Sequence, residues 1–236
     1  MLTAMARIIA AMVLMAATVA GGCAVGQQIS YNPPMLRLQA PGSGSVALAV
    51  QDGRTEVRSG AKPPTFCGLL RSGFGIPYSV TTASGRPLAA DLAYAISRAL
   101  TARGFRVAIV PTTPGQPDAA TMQAFATQRG DRSLLIQIGE WKSDAMVRTT
   151  LDYRVTAQVR DGQGHVIAQS QIMGNDDLGG DVLDPGEYMK RAVPAATRER
   201  FERLLNDPGI TKALQAGAAP VPPPPVDQAP SVTPAS

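Results

Sequence analysis

A run of strictly alternating side chains at residues 147–160 constrains the fold of this chain more than any other feature. The mostly apolar side chains share one face: Val147, Thr149, Leu151, Tyr153, Val155, Ala157 and Val159. The polar and charged side chains share the other face: Arg148, Thr150, Asp152, Arg154, Thr156, Gln158 and Arg160. A period of two residues predicts a strand at 146–160 with one buried and one solvated face.

The neighbouring segments extend this strand into a sheet. Residues 161–164 read Asp-Gly-Gln-Gly and predict a hairpin turn to a return strand. An apolar strand candidate at 134–141 comes before the alternating strand, so residues 134–173 are predicted to form a three-stranded antiparallel meander. A solvated sheet face argues against helices on both sides. We therefore predict an α+β fold, a two-layer domain with a mostly antiparallel sheet and helices packed on one face.

The helices are predicted from apolar periodicity and from capping residues. The strongest pattern lies at 84–103, where leucine or isoleucine recurs every four residues and Ser84 is placed to cap the N-terminus. Further helices are predicted at 118–128, at 184–205 with Asp184 as the cap, and at 207–215. Residues 66–78 contain three glycines and a proline, which predicts an irregular loop around a strand fragment.

The N-terminus predicts export and attachment to a membrane. Residues 8–20 are apolar or small apart from Thr18, and at ~1.5 Å per residue they are too short to cross a hydrocarbon core of ~30 Å. The following Ala-Gly-Gly-Cys at 20–23 resembles a signal peptidase II site, which implies cleavage before Cys23 and acylation of that residue. The alternative is an ordinary secretory signal with an incidental cysteine. Under the sorting rule for such proteins, Ala24 predicts the outer membrane, with the protein facing the periplasm.

The chain is therefore divided into four parts. We predict a signal peptide at 1–22, a lipidated N-terminus and flexible tether at 23–45, and a single domain at 46–215. Residues 216–236 are rich in proline and alanine and lack aromatic residues, so we predict a disordered tail.

The residues available for catalysis or metal binding are few. His165 is the only histidine, and Cys23 and Cys67 are the only cysteines, so neither a Cys/His metal site nor a cofactor is predicted. Cys67 lies in an apolar run and is expected to be a buried, inert thiol. The net charge of +4 comes without a basic stripe, which argues against nucleic-acid binding. We expect no enzyme activity.

One group of carboxylates invites a different interpretation. A loop with several aspartates could bind calcium, but this one lacks the spacing of an EF-hand, and a solvated loop is favoured. The aspartates concerned are Asp176, Asp177, Asp181 and Asp184.

The sequence also resembles a known family over residues 52–105. The matching features are Asp52-x-Arg54, then Gly68 and a Gly-Phe-Gly loop at 73–75, and then an amphipathic helix that ends at Gly104-Phe105. They resemble the YajG-like bacterial lipoproteins, whose function is not established. The resemblance implies an outer-membrane lipoprotein with a small α/β domain and no known catalysis.

Two surfaces are candidates for binding a partner. Arg148, Arg154 and Arg160 should lie on the outward sheet face with only one nearby acid, which predicts a locally positive surface for an acidic envelope protein or an anionic glycolipid. The alternative is a recognition loop anchored by Phe74 and Tyr78. We expect a non-catalytic, lipid-anchored interaction or accessory module, associated with assembly or transport. An activator of peptidoglycan synthesis at the membrane is the alternative.

Overall fold

The structure, a computed structural model, describes residues 27–31, 36–128 and 130–216. The predicted signal peptide, Cys23 and the predicted tail beyond residue 216 lie outside the described residues. The strands are β1 (Gln28–Ile29), β2 (Ser45–Asp52), β3 (Phe66–Arg71), β4 (Pro77–Thr82), β5 (Arg106–Ile109), β6 (Arg132–Ala145), β7 (Thr149–Arg160) and β8 (Val166–Asp177). The helices are α1 (Thr55–Arg58), α2 (Leu88–Ala102), α3 (Asp118–Gln128), α4 (Pro185–Leu205) and α5 (Pro208–Gln215).

Strand β6 lies at the centre of a mixed sheet. Along one edge it pairs in parallel with β2 through its first half and with β3 through its last residues, and along the other edge it pairs antiparallel with β7. Strand β8 pairs antiparallel with β7, which confirms the predicted meander. On the far side, β5 is parallel to β2, β4 is antiparallel to β3, and β1 is parallel to β4.

The main core lies between the sheet and helices α2, α4 and α5. Most of the buried apolar side chains of β7 and of the three helices belong to one cluster. This cluster includes Trp141, whose ring centroid lies 5.4 Å from that of Phe201 and 6.2 Å from that of Tyr153. This arrangement confirms the α+β two-layer fold. The short helix α3 packs locally on the outward face, where Phe125 covers Ala49 and Leu135.

Helix α2 is the predicted amphipathic helix, but it begins at Leu88 rather than at Ser84. The Ser84 hydroxyl donates a hydrogen bond to the Asp91 carboxylate at 2.6 Å instead of capping the helix. Leu92 and Ile96 are buried at the centre of the apolar stripe, as predicted. Asp184 caps α4 as predicted, because its side chain accepts a hydrogen bond from the Glu187 amide at 2.9 Å.

Residues 66–78 form a hairpin, so the prediction of an irregular loop is wrong. Strands β3 and β4 pair antiparallel, with Leu70 opposite Tyr78. The glycine at position 68 allows close approach of strands rather than breaking them, since a Cβ there would lie 2.4 Å from the carbonyl oxygen of Ser143 on β6. Gly75 has a φ of +78°, which suits the turn of the hairpin.

The domain begins earlier than the sequence predicts. Ile29 and Tyr31 are each only 1% exposed, and Leu36 and Leu38 are also buried. Residues 36–40 lie against the C-terminal end of α4, where the Arg37 amide donates to the Glu202 carboxylate at 2.8 Å. The prediction of a flexible tether is therefore wrong for residues 28–31 and 36–40, because their alternate apolar side chains complete the core.

Candidate functional site

Arg154 lies on the outward face of β7, as predicted. It is opposite Met173 on β8, which is also exposed, and opposite Glu140 on β6. Among the described residues the Arg154 guanidinium forms no ion pair or hydrogen bond. Its side chain extends over Gly139, where a Cβ would lie 3.0 Å from the Arg154 Nε. A free guanidinium beside an exposed methionine is a combination of charge and apolar surface suited to a protein contact.

Arg160 has a local structural role. Its guanidinium donates hydrogen bonds to the carbonyl oxygen of Gly164 at 3.0 Å and to the side chain of Gln158 at 2.8 Å. These bonds fix the β7–β8 hairpin. Arg160 lies at the end of β7 that is remote from Arg148. Of the three predicted arginines, only Arg154 projects from the middle of the sheet face.

Arg148 is not part of a strand. Residues 146–148 form the bend between β6 and β7, so Val147 is exposed instead of buried. The Arg148 Nε donates to the Asp177 Oδ2 at 2.6 Å, at the end of β8. This hydrogen bond lowers the pKa of the Asp177 carboxyl and raises the pKa of the Arg148 guanidinium.

The prediction of a locally positive sheet face is wrong. Strand β6 continues to Ala145, four residues beyond the predicted end, and this extension adds Asp144, which forms an ion pair with Arg71 at 2.6 Å. Glu140 lies opposite Arg154. With Asp177, which pairs with Arg148, three carboxylates therefore lie among the basic side chains of this face. The face is mixed in charge, so long-range attraction of a polyanion has little support in it.

A second candidate surface lies at one end of the sheet, which we call the loop end. It comprises the β3–β4 turn (72–76), the β6–β7 bend (146–148) and the segment between β8 and α4 (178–184). The exposed apolar side chains of these loops are Phe74, Ile76, Met146, Val147, Val182 and Leu183. Phe74 and Leu183 are each 95% exposed. Concentrations of exposed apolar side chains of this kind mark interaction sites.

Strand pairing explains why the three loops lie together. Strands β3 and β6 are parallel, with Leu70 opposite Ala145, so the loops that follow them leave the sheet at the same end. Strand β8 returns to that end beside β7, and the Thr149 amide donates to the carbonyl oxygen of Gly179 at 2.6 Å. Gly180 lies directly against the bend, because a Cβ there would be 2.0 Å from the carbonyl oxygen of Val147.

Of the two predicted anchors of the recognition loop, only Phe74 is fully exposed. Phe74 lies at the tip of the β3–β4 turn, but Tyr78 is half-buried within β4. The structure instead brings Val182 and Leu183 to the same end as Phe74. Sequence reasoning missed these two because they are separated from Phe74 by more than a hundred residues, although two adjacent apolar residues inside an aspartate-rich loop are an unusual combination.

Each of the four aspartates predicted as a possible calcium loop has its own partner within the protein. Asp176 pairs with Arg200 at 2.6 Å and Asp177 pairs with Arg148. The Asp181 and Asp184 side chains accept hydrogen bonds from backbone amides at positions 183 and 187 respectively. Within the described residues, no group of three or more histidine, cysteine, aspartate or glutamate side chains is arranged to hold a metal ion.

The remaining reactive side chains are buried or isolated. Cys67 is fully buried, and burial raises the pKa of its thiol to about 12. Burial likewise raises the pKa of Tyr31 well above its usual value, and its hydroxyl accepts a hydrogen bond from the Trp141 indole at 3.3 Å. His165 is exposed in the β7–β8 turn, with Asp161 3.4 Å away.

A cavity of about 290 Å³ lies where β2 and β5 end beside the first turn of α2. Its wall is mainly apolar, with Ala90, Tyr94 and Ile109 among its lining residues. Arg86 at its rim pairs with Asp91 at 2.8 Å and places its guanidinium 5.4 Å from the Tyr94 ring centroid. The cavity could accept an apolar side chain, but its charged lining residues already have partners, since Arg86 pairs with Asp91 and Asp52 pairs with Arg54.

Comparisons with known proteins do not assign the chain to a family. No protein-family model and no curated protein matches the sequence. Among solved structures, protein XCC0632 from Xanthomonas campestris has 14% identity and a TM-score of 0.47, over 75% of this chain and 95% of that one. The PelC dodecamer from Paraburkholderia phytofirmans has 12% identity and a TM-score of 0.41, over 73% and 92%. Lipoprotein GNA1162 from Neisseria meningitidis has 14% identity and a TM-score of 0.27, over 64% and 96%.

These similarities carry no conclusion about function, and the resemblance to the YajG-like lipoproteins stays a prediction. Through residues 27–31, 36–128 and 130–216, no helix is both long and apolar enough to cross a membrane.

Proposed function

We propose that the chain is a non-catalytic lipoprotein of the cell envelope that binds an envelope protein through its open sheet face. Acyl chains on Cys23 would hold it in the outer membrane, facing the periplasm. The sequence at 20–23 supports the anchor. The observation that carries the binding function is the pair formed by Arg154 and Met173, which lie opposite each other on β7 and β8 on a part of the sheet that none of the described helices covers.

The edge of the sheet adds to this surface. Strand β8 is twelve residues long and, within the described residues, pairs only with β7. Its outer edge is therefore free to contact another chain. Ile172 is its only buried side chain. A long exposed edge beside an exposed methionine and an unpaired arginine is suited to docking a protein, because backbone and side-chain contacts can form together.

Site-specific photo-crosslinking in cells tests this proposal. A photoreactive residue at Met173 should capture a defined envelope protein, and Arg154→Glu should reduce that product. The matched control is a photoreactive residue at Arg191, which is exposed on α4, on the helical side of the domain. Capture of a peptidoglycan synthase would favour the activator function, whereas capture of a transport or assembly subunit would favour an accessory role. The same products from both positions, or no product from Met173, would contradict the proposal.

A further inference from the structure

We propose that the loop end of the domain docks on the lipid bilayer, with Phe74 and Leu183 inserted at its surface. This inference rests on the lipid anchor proposed above and adds an orientation to it. The anchor alone would leave the domain free to rotate, whereas contact at the loop end would hold the sheet upright on the membrane. The partner surface around Arg154 would then face sideways into the periplasm.

The direction of the first strand carries the argument. Strand β1 runs parallel to β4, with Gln28 opposite Thr81 near the end of β4, whereas β4 starts at the loop end with Pro77. Because parallel strands share a direction, the chain enters β1 from the side of the loop end. Gln27 also contacts the start of α4, since a Cβ at Gly186, in the first turn of that helix, would lie 3.3 Å from the Gln27 Nε2.

The length of the connecting chain sets the distance to the membrane. Gln27 follows Cys23 by four residues. Four residues span at most ~14 Å even when fully extended. Gln28 pairs with Thr81, so Gln27 lies about three residues, or ~10 Å, along β4 from Pro77 at the loop end. The connecting segment therefore reaches little farther than the loop end even when extended. Acyl chains attached at Cys23 would hold the loop end close to the headgroups, with little room for a folded protein between the domain and the lipid.

The side chains at this end are chemically suited to that position. Phe74 and Leu183 lie in two different loops and are almost completely exposed, as is expected of residues that contact lipid and not the protein core. The basic side chains nearby, Arg71 and Arg148, are each paired with an aspartate. Docking should accordingly depend on apolar insertion and vary little with ionic strength.

A single fluorescent label distinguishes docking from a freely rotating anchored domain. Cys67 is buried with a raised pKa, and the sulfur of Cys23 would be blocked by a thioether to the lipid, so a new surface cysteine can be labelled selectively. Leu183→Cys places an environment-sensitive maleimide dye at the loop end. His165→Cys is the matched control, because it lies beyond the other end of β7, ~40 Å away at ~3.3 Å per residue.

The labelled, acylated full-length proteins are reconstituted into phosphatidylethanolamine vesicles that contain lipids with nitroxide-labelled acyl chains. We expect a blue shift and loss of emission for the dye at position 183, with neither change at position 165. Adding Phe74→Ser should restore part of the emission at 183, because it removes the other fully exposed anchor.

Three results would overturn the inference. If the protein floats with the vesicles while both dyes remain in water, the anchor stands and the docking does not. If the protein does not float, both the anchor and the docking fail. If the dye at 183 shifts only at high protein density and without nitroxide quenching, a second copy of the chain covers the loop end.

Discussion

Arg54 and Asp52 form an ion pair that lies wholly inside the domain, with the Arg54 Nη2 2.7 Å from the Asp52 Oδ2 and side-chain exposures of 0% and 3%. The guanidinium also donates to the carbonyl oxygens of Phe66 at 2.6 Å and Trp141 at 3.3 Å. These bonds join the end of β2 to β3 and β6. The Asp52-x-Arg54 motif, noticed first as part of a family resemblance, is thus a structural fastener where the two halves of the sheet meet.

Removing the arginine should be costly. Arg54→Met leaves the Asp52 carboxylate buried without its partner, for which a loss of about 3–5 kcal/mol in the free energy of unfolding is expected. Denaturant titration measures it. Arg58→Met, a matched change on the surface of α1, should cost less than about 0.5 kcal/mol. Equal losses for the two variants would contradict the fastener role.

The stripe of α2 gives a second stability prediction. Leu92 is 2% exposed in the middle of the core, so Leu92→Ala should lower the free energy of unfolding by about 2–5 kcal/mol through lost burial and a cavity. Arg98→Ala on the exposed side of the same helix should change it by less than about 0.5 kcal/mol. Similar values for the two would mean that the helix does not bury this face.

Cys67 should behave as an inert core residue. Its burial and raised pKa leave almost no thiolate at neutral pH, so a maleimide should modify it only in the unfolded protein. Mass spectrometry after timed labelling measures this, with His165→Cys as an exposed thiol in the same chain. Rapid modification of Cys67 in the folded protein would show that the site opens or that the thiol is activated.

The pairing of Arg148 with Asp177 predicts a specific titration. The folded-state pKa of Asp177 is lowered by the hydrogen bond from Arg148, so the stabilisation exists above the carboxyl's unfolded-state pKa and is lost as pH falls through the folded-state pKa. Arg148→Gln should raise the pKa of Asp177 toward its usual value, as followed by NMR. Arg154→Gln, which removes an unpaired arginine, should leave it unchanged.

Sequence periodicity predicted those helices and strands that bury one regular face. The alternation at 149–160 identified β7, and the spacing of Leu92 and Ile96 identified α2, because each reflects the period of one element facing one core. The hairpin at 66–78 was missed because Gly68 was interpreted as a breaker. Glycine is required at position 68 because β6 approaches closely there. The contacting part of β6 is more than seventy residues away in sequence, so no local pattern shows this contact.

For the candidate sites too, the sequence predicted what alternation within one strand determines and missed what depends on contacts between strands. The sequence placed Arg154 outward correctly, since strict alternation fixes its side of the strand. It could not show that Asp177 neutralises Arg148, because that ion pair depends on how far β8 extends and on where the β6–β7 bend falls. Val182 and Leu183 join Phe74 only through the parallel pairing of β3 with β6, and this pairing is a property of the whole topology.

Attachment through Cys23 is the central claim, and intact-mass analysis of the mature protein purified from envelope fractions tests it most directly. We expect a chain that begins at Cys23, carries the mass of its acyl groups and is located in the outer membrane. Cys23→Ser should move the protein to the soluble periplasmic fraction. A mature chain that begins elsewhere, or that lacks acyl mass and still fractionates with the outer membrane, would contradict the account.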